Sequence, residues 1–176
     1  MATEQAPSSL QTLMDPRSYD MYDYETSVHV NAPPERVWAI VGDLSGSPEW
    51  AGSGQVKTMS QTTEGAAGVG TKYIAREKIL VPFKAESEIV GYEPNQCIAW
   101  TSRPVGPKMS PHRWAFILTP EDGGTRLTHQ VRAARASGFP RLMQATMVKL
   151  SGGTEVIRRG MDATMAKVKA RAESTK

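Results

Sequence analysis

Apolar and polar residues alternate where the structured part of the chain is expected to begin. Tyr24, Thr26, Val28 and Val30 fall on one side of the alternation, and Glu25, Ser27, His29 and Asn31 on the other. A period of two predicts a half-buried strand, with His29 toward solvent. The pattern then changes at Pro33-Pro34. Proline fits the first turn of a helix, where its missing N–H would have had no partner. Val37, Ile40, Val41 and Leu44 form the inward stripe of that helix, Trp38 flanks it, and Gly42 begins to break it. A second short helical segment ends on Trp50.

Further strand-like segments follow with no helix between them. They are Gln55–Met59, Thr71–Ile79, Lys84–Gly91, Gln96–Ser102, His112–Leu118 and a last strand on which Leu127, His129 and Val131 alternate. Val81-Pro82 and Glu93-Pro94-Asn95 punctuate the series, and Glu121-Asp122-Gly123-Gly124 predicts a hairpin turn. Strands in series at short spacing predict an antiparallel sheet. From about Pro140 the period becomes helical. Met143, Met147, Leu150, Thr154, Ile157, Met161, Met165 and Val168 follow steps of 4, 3, 4, 3, 4, 4 and 3. That is one stripe on a long helix. Gly152-Gly153 does not shift the register, so the pattern predicts a helix running through both glycines; a break into two helices is the alternative. Each glycine costs a helix interior about 1 kcal/mol against alanine.

The expected fold class is therefore α+β. A curved seven-stranded antiparallel sheet wraps a long C-terminal helix, with two short helices after the first strand. One helix cannot fill the whole concavity, so a largely apolar cavity is expected between helix and sheet. Composition agrees with one globular domain: the 176 residues are 39% hydrophobic and 22% charged. Residues 1–20 have neither a basic start nor a continuous apolar centre, which predicts a weakly ordered tail ahead of a single domain over 21–176. No run of about 18 apolar residues exists. Cys97 is the lone cysteine, in an apolar strand, which predicts an inert buried thiol and a cytoplasmic setting. The net charge of +3 hides an asymmetry, with −5 over residues 1–125 and +8 over 126–176. The basic part is mostly the last helix. It reads first as a solvated face, and second as a weak contact with anionic surfaces through Arg158, Arg159, Lys167, Lys169 and Arg171. No specific nucleic-acid binding is expected.

Four segments carry a family resemblance: VHVNAPPERVWAIVGDLSGSPEW (28–50), GVGTKYIAREKI (68–79), IVGYEPNQCIAWTS (89–102) and HRWAFILTPEDGGTRLTHQV (112–131). In order and spacing the chain resembles the polyketide cyclase/dehydrase and lipid-transport family over residues 24–172. That family belongs to the START-related, Bet v 1-like (SRPBCC) superfamily. The resemblance implies a helix-grip fold and a lipid, polyketide or other hydrophobic ligand. Its recurring features are turns and core positions rather than a catalytic signature, and only some members are enzymes.

The candidate ligand-binding residues are Trp50, Tyr73, Trp100, Trp114, Phe116, His129, Met143, Met147, Ile157 and Met161. Trp100, Trp114 and Phe116 offer aromatic walls to a flat ligand or, equally, a plain core. Trp50 matches the family's tryptophan at the end of the short helical segment, at the cavity entrance or packed beneath the loop. The methionines and Ile157 lie on the helix face that floors both core and cavity. His129 should face inward with Leu127 and Val131, and it is the best candidate for a catalytic group. Tyr73 faces inward on one parity of its strand; on the other, Arg76 does. Glu77 and Glu88 are expected outside, since a buried carboxylate needs a partner. The histidines and Cys97 have no metal-ligand spacing, and no cofactor is expected. Gly52-Ser53-Gly54 is not a nucleophile elbow, and GAAGVGTK (65–72) lacks the lysine position and following helix of a phosphate loop. The first functional reading is binding, or transport, of a hydrophobic small molecule. The second is a cyclase, aromatase or dehydratase acting in the same cavity. Monomer and homodimer both remain open.

Overall fold

The structure is a computed structural model that describes residues 22–106, 111–133, 146, 149 and 152–174. Strand β1 (Tyr22–Val30) leads into helix α1 (Pro34–Val41), a single 3-10 turn (Leu44–Gly46) and the one-turn helix α2 (Ser47–Trp50). Six strands follow: β2 (Val56–Gln61), β3 (Lys72–Lys78), β4 (Pro82–Glu93), β5 (Cys97–Pro104), β6 (His112–Glu121) and β7 (Gly124–Ala133). Helix α3 (Thr154–Ser174) closes the described chain. The seven strands form one antiparallel sheet in the order β1-β7-β6-β5-β4-β3-β2. This is the curved sheet with a long C-terminal helix that the hydrophobic pattern predicted.

Local chemistry explains the turns and the curvature. Asp122 and Gly123 both have positive φ, 43° and 78°, which gives the β6–β7 hairpin the twist its strands need. The β4–β5 register slips between Ile89 and Gly91, and such a bulge bends the strand. Val37 and Val41 anchor α1, and Asp43 caps the 3-10 turn by accepting from Ser45 N at 2.9 Å. The core then runs through Val30, Val37, Val41, Leu44, Ile89, Ile98, Phe116, Leu127 and Val168, all fully buried.

One expectation fails here. The apolar stripe predicted a helix passing through Gly152-Gly153. Both glycines adopt positive φ, 96° and 76°, and α3 starts at Thr154. Glycine alone takes that region without a Cβ clash. The stripe missed the break because spacing counts residues rather than dihedral angles. Thr146 and Lys149 are helical, so helix lies on both sides of the glycines. Met143 and Met147 lie outside the described residues, as does the expected tail over 1–20.

Candidate functional site

Side chains on the concave face change character from row to row across the sheet. Leu118 and Leu127 face each other on β6 and β7. The next row sets Ile98, Phe116 and His129 side by side. Beyond it lie Ile89, Trp100, Trp114 and Val131. The following row is small or polar: Ser87, Ser102 and His112. Ala85 and Pro104 come next. As the rows lose volume, the sheet and α3 stop touching. A cavity of about 240 Å³ opens between them. Its ceiling comes from Val156, Ile157, Gly160, Met161 and Thr164 of α3, and one side comes from Ser47 and Trp50 of α2.

The loop after α2 is held tightly against α3. Gly52 N donates to Thr164 Oγ1 at 2.7 Å, and Thr164 Oγ1 donates to Gly160 O at 2.8 Å. A Cβ at Gly52 would stand 2.2 Å from Thr164 N, so only glycine fits. This close approach places Ala51, Ser53 and Gln55 on the cavity wall.

His129 is 3% exposed and lines the cavity. Its ring stacks on Phe116 at 4.2 Å between centroids, and Trp100 and Trp114 lie at 6.4 and 5.7 Å. Neither ring nitrogen has a hydrogen-bond partner among the described residues. Burial pushes its pKa down to about 3, so the imidazole is neutral near pH 7. It offers one N–H donor and one basic lone pair. Trp50 Nε1 and Ser47 Oγ, on the same cavity, are also buried without a partner among the described residues. His112 sits edge-on to Trp114, and burial lowers its pKa to about 4.

The predicted site residues therefore divide. Trp50, Trp100, Trp114, His129, Ile157 and Met161 meet at the cavity. Tyr73 does face inward, which settles the parity against Arg76, but it is 1% exposed and packs in the core. Its hydroxyl donates to Asp43 Oδ1 at 3.4 Å, and burial first, then Asp43, raises its pKa to about 12. Phe116 lies behind the wall, supporting His129 and Trp50 rather than lining the space.

Glu77 corrects an expectation. It was expected outside, yet β3 parity through Tyr73 and Ala75 carries it inward onto the cavity wall. It is half-buried, and burial raises its pKa. Being only half-buried, it escapes full desolvation. Glu88 does face outward, 4.0 Å from Lys72. Ser87, Ser102 and His112 were also missed. The signal was present: extending the Trp114–Phe116 alternation backward reaches His112, and extending Ile98–Trp100 forward reaches Ser102.

Other groups are structural. The Cys97 thiol is buried on the other face of the sheet with Ala99 and Ala115, and burial raises its pKa to about 11. The basic face of α3 is largely engaged with the protein itself. Arg159 pairs with Glu155, Lys169 with Glu173 and Arg171 with Glu49, and Arg158 lies 4.7 Å over the Tyr24 ring. Among the described residues no three His, Cys, Asp or Glu side chains cluster as metal ligands, and no helix is long and apolar enough to cross a membrane.

Sheet, gripped helix and residual cavity define a helix-grip protein with an internal, mostly apolar chamber. The chain belongs to the polyketide cyclase/dehydrase and lipid transport family, whose model matches residues 21–173. It is similar to the protein Rv0088 of Mycobacterium tuberculosis, described as uncharacterized, at 28% identity over 146 residues. That match covers 81% of this chain and 60% of the relative's length. Among solved structures, the aromatase/cyclase ZhuI of a Streptomyces species superposes with a TM-score of 0.66 at 18% identity, over 88% of this chain and 94% of that one. The di-domain aromatase/cyclase StfQ of the steffimycin biosynthetic pathway gives 0.66 at 15% identity, over 93% of this chain and 54% of that one. At such identities these likenesses show the fold.

Proposed function

We propose that this chain binds a hydrophobic small molecule, a lipid or a polyketide, in the cavity between sheet and α3, with an oxygen function of the ligand placed against His129. The supporting observation is a set of buried polar groups on the cavity wall with no partner among the described residues: both His129 nitrogens, Trp50 Nε1 and Ser47 Oγ. Each such group costs about 1–3 kcal/mol when left unmet. A hydroxyl or carbonyl on the ligand supplies the missing donor or acceptor, while Trp100, Trp114 and Met161 take its apolar body. Native mass spectrometry of freshly purified protein, followed by titration with hydroxylated and plain aromatic probes, tests this. His129→Leu is expected to weaken the hydroxylated probe about tenfold and leave the plain one unchanged. Flat titrations across a broad lipid and polyketide panel would remove the reading.

A second reading, a cyclase- or dehydratase-type enzyme, is favoured by Glu77. Cyclisation needs a shaped chamber and a group that accepts a proton. The lowered pKa of His129 makes it a weak base, suited to hydrogen bonding rather than to proton abstraction. Glu77, on the same wall with its pKa raised, is the better base. If turnover of a polyketide-like substrate is found, Glu77→Gln should abolish it and His129→Leu should raise KM more than it lowers kcat.

A further inference from the structure

The β3–β4 hairpin presents apolar side chains to solvent at its tip. Leu80 and Val81 are 65% and 68% exposed. Val105, 49% exposed, lies beside the same hairpin farther from its tip, where its N–H donates to Lys84 O at 2.9 Å. One exposed apolar residue needs no explanation, but two side by side at a hairpin tip, with a third along the same hairpin, give that end an apolar surface. The outward positions of the same hairpin are cationic. Arg76, Lys78 and Lys84 are all exposed, and Arg76 stands directly across from Lys84. Like charges in that position oppose each other. Among the described residues none of the three enters an ion pair, whereas the outward acids of β4, Glu86 and Glu88, pair with Arg103 and Lys72. The inward positions of the hairpin, Glu77, Ile79 and Phe83, line the cavity, so the patch stands at the cavity's edge.

We propose that this hairpin docks on an anionic lipid bilayer, with Leu80 and Val81 entering the interface and Arg76, Lys78 and Lys84 meeting the headgroups. An apolar tip inside a cationic collar matches a surface that is negative outside and apolar beneath. A second copy of the chain is disfavoured, because it would set collar against collar. Nucleic acid would engage the cations and leave the apolar tip in water. Docking at this edge lets the cavity exchange its occupant with the membrane; that consequence, though not the docking, rests on the cavity binding a hydrophobic molecule.

Co-sedimentation of the full chain with vesicles of phosphatidylcholine alone, or mixed with phosphatidylserine, tests the proposal. Binding is expected only to the mixed vesicles and weakens as salt rises. Each basic residue near such a surface strengthens binding about fivefold, so the double variant Lys78→Gln, Lys84→Gln should bind about 25-fold more weakly. Leu80→Ser with Val81→Ser should lose about tenfold or more. Circular dichroism and probe binding in solution should be unchanged in both, since none of the four residues lines the cavity. The proposal is overturned by absent binding to the mixed vesicles or by equal binding of the variants. A concentration-dependent dimer abolished by the serine variant would also overturn it, by assigning the patch to self-association. Vesicle binding by a protein that takes up no probe would keep the docking and reject the ligand reading instead.

Discussion

Toward α1 the sheet and α3 meet side chain against side chain; toward the β3–β4 hairpin the same two elements part around a chamber. The filled half holds Val30, Val37, Ile98, Phe116, Leu127 and Val168, none with measurable exposure. The hollow half substitutes Ala85, Ser87 and Ser102 on the strands and Gly160 on the helix. The strand order is the same in both. Side-chain volume changes row by row. Close packing of interiors makes each row count, since a few missing methylenes across facing positions leave a void that the surroundings do not collapse to fill. The two halves also differ in how they treat polar atoms. Deep in the filled half Thr125 Oγ1 donates to Ala32 O at 2.7 Å, while in the chamber His129, Trp50 Nε1 and Ser47 Oγ find no partner among the described residues.

Experiments can sharpen this contrast. The largest effect is expected in the filled half: Phe116→Ala should destabilise the fold by about 3–5 kcal/mol in urea, because Trp50, Trp100 and His129 all lose their support. A loss below about 1 kcal/mol would mean that the filled half relaxes as easily as the chamber. The next effect depends on pH. His129 has a folded pKa of about 3 against an ordinary 6.5, so the unfolded chain binds the proton more readily. Its contribution is complete above about pH 6.5 and is lost as pH falls toward 3. Between neutral pH and about pH 4.5 that single group should cost on the order of 1–3 kcal/mol. His129→Leu should make that part of the curve shallower, leaving the share from His112, whose pKa burial lowers to about 4, and an unchanged slope would assign the acid sensitivity to other groups.

Smaller changes are expected in the hollow half. Ala85→Phe should plug the chamber, reducing probe affinity at least about tenfold while shifting stability by less than about 1 kcal/mol, since empty space receives the ring. A large destabilisation would show the chamber to be better packed than its lining implies. Smallest of all, Cys97 should react with thiol reagents only after unfolding, because its thiol is buried and its pKa raised to about 11. Rapid labelling of the native protein would place the outer face of β5 in contact with solvent.

Much of the sheet was legible along the chain because period-two alternation survives wherever one face is buried. Trp114, Phe116 and Leu118 gave β6 its inner face, and Leu127, His129 and Val131 did the same for β7. Tyr73 was ambiguous because Ile74, on the opposite face, is also apolar. Its neighbours in the sheet, Ser87 and Gln61, are fixed by pairing, which no window of β3 contains. Glu77 was misplaced because the rule that carboxylates face outward assumes a dry interior, and here the interior is a cavity wall.

The order of strands, the helix stripe and the family were written in local patterns, since burial of one face imposes a periodicity that any short segment displays. Where the chamber lies, which residues reach it and which polar atoms go unmet were decided only on assembly. These depend on volumes summed across strands distant in the chain, and on a helix whose starting point two glycines set by dihedral angle rather than by hydrophobicity.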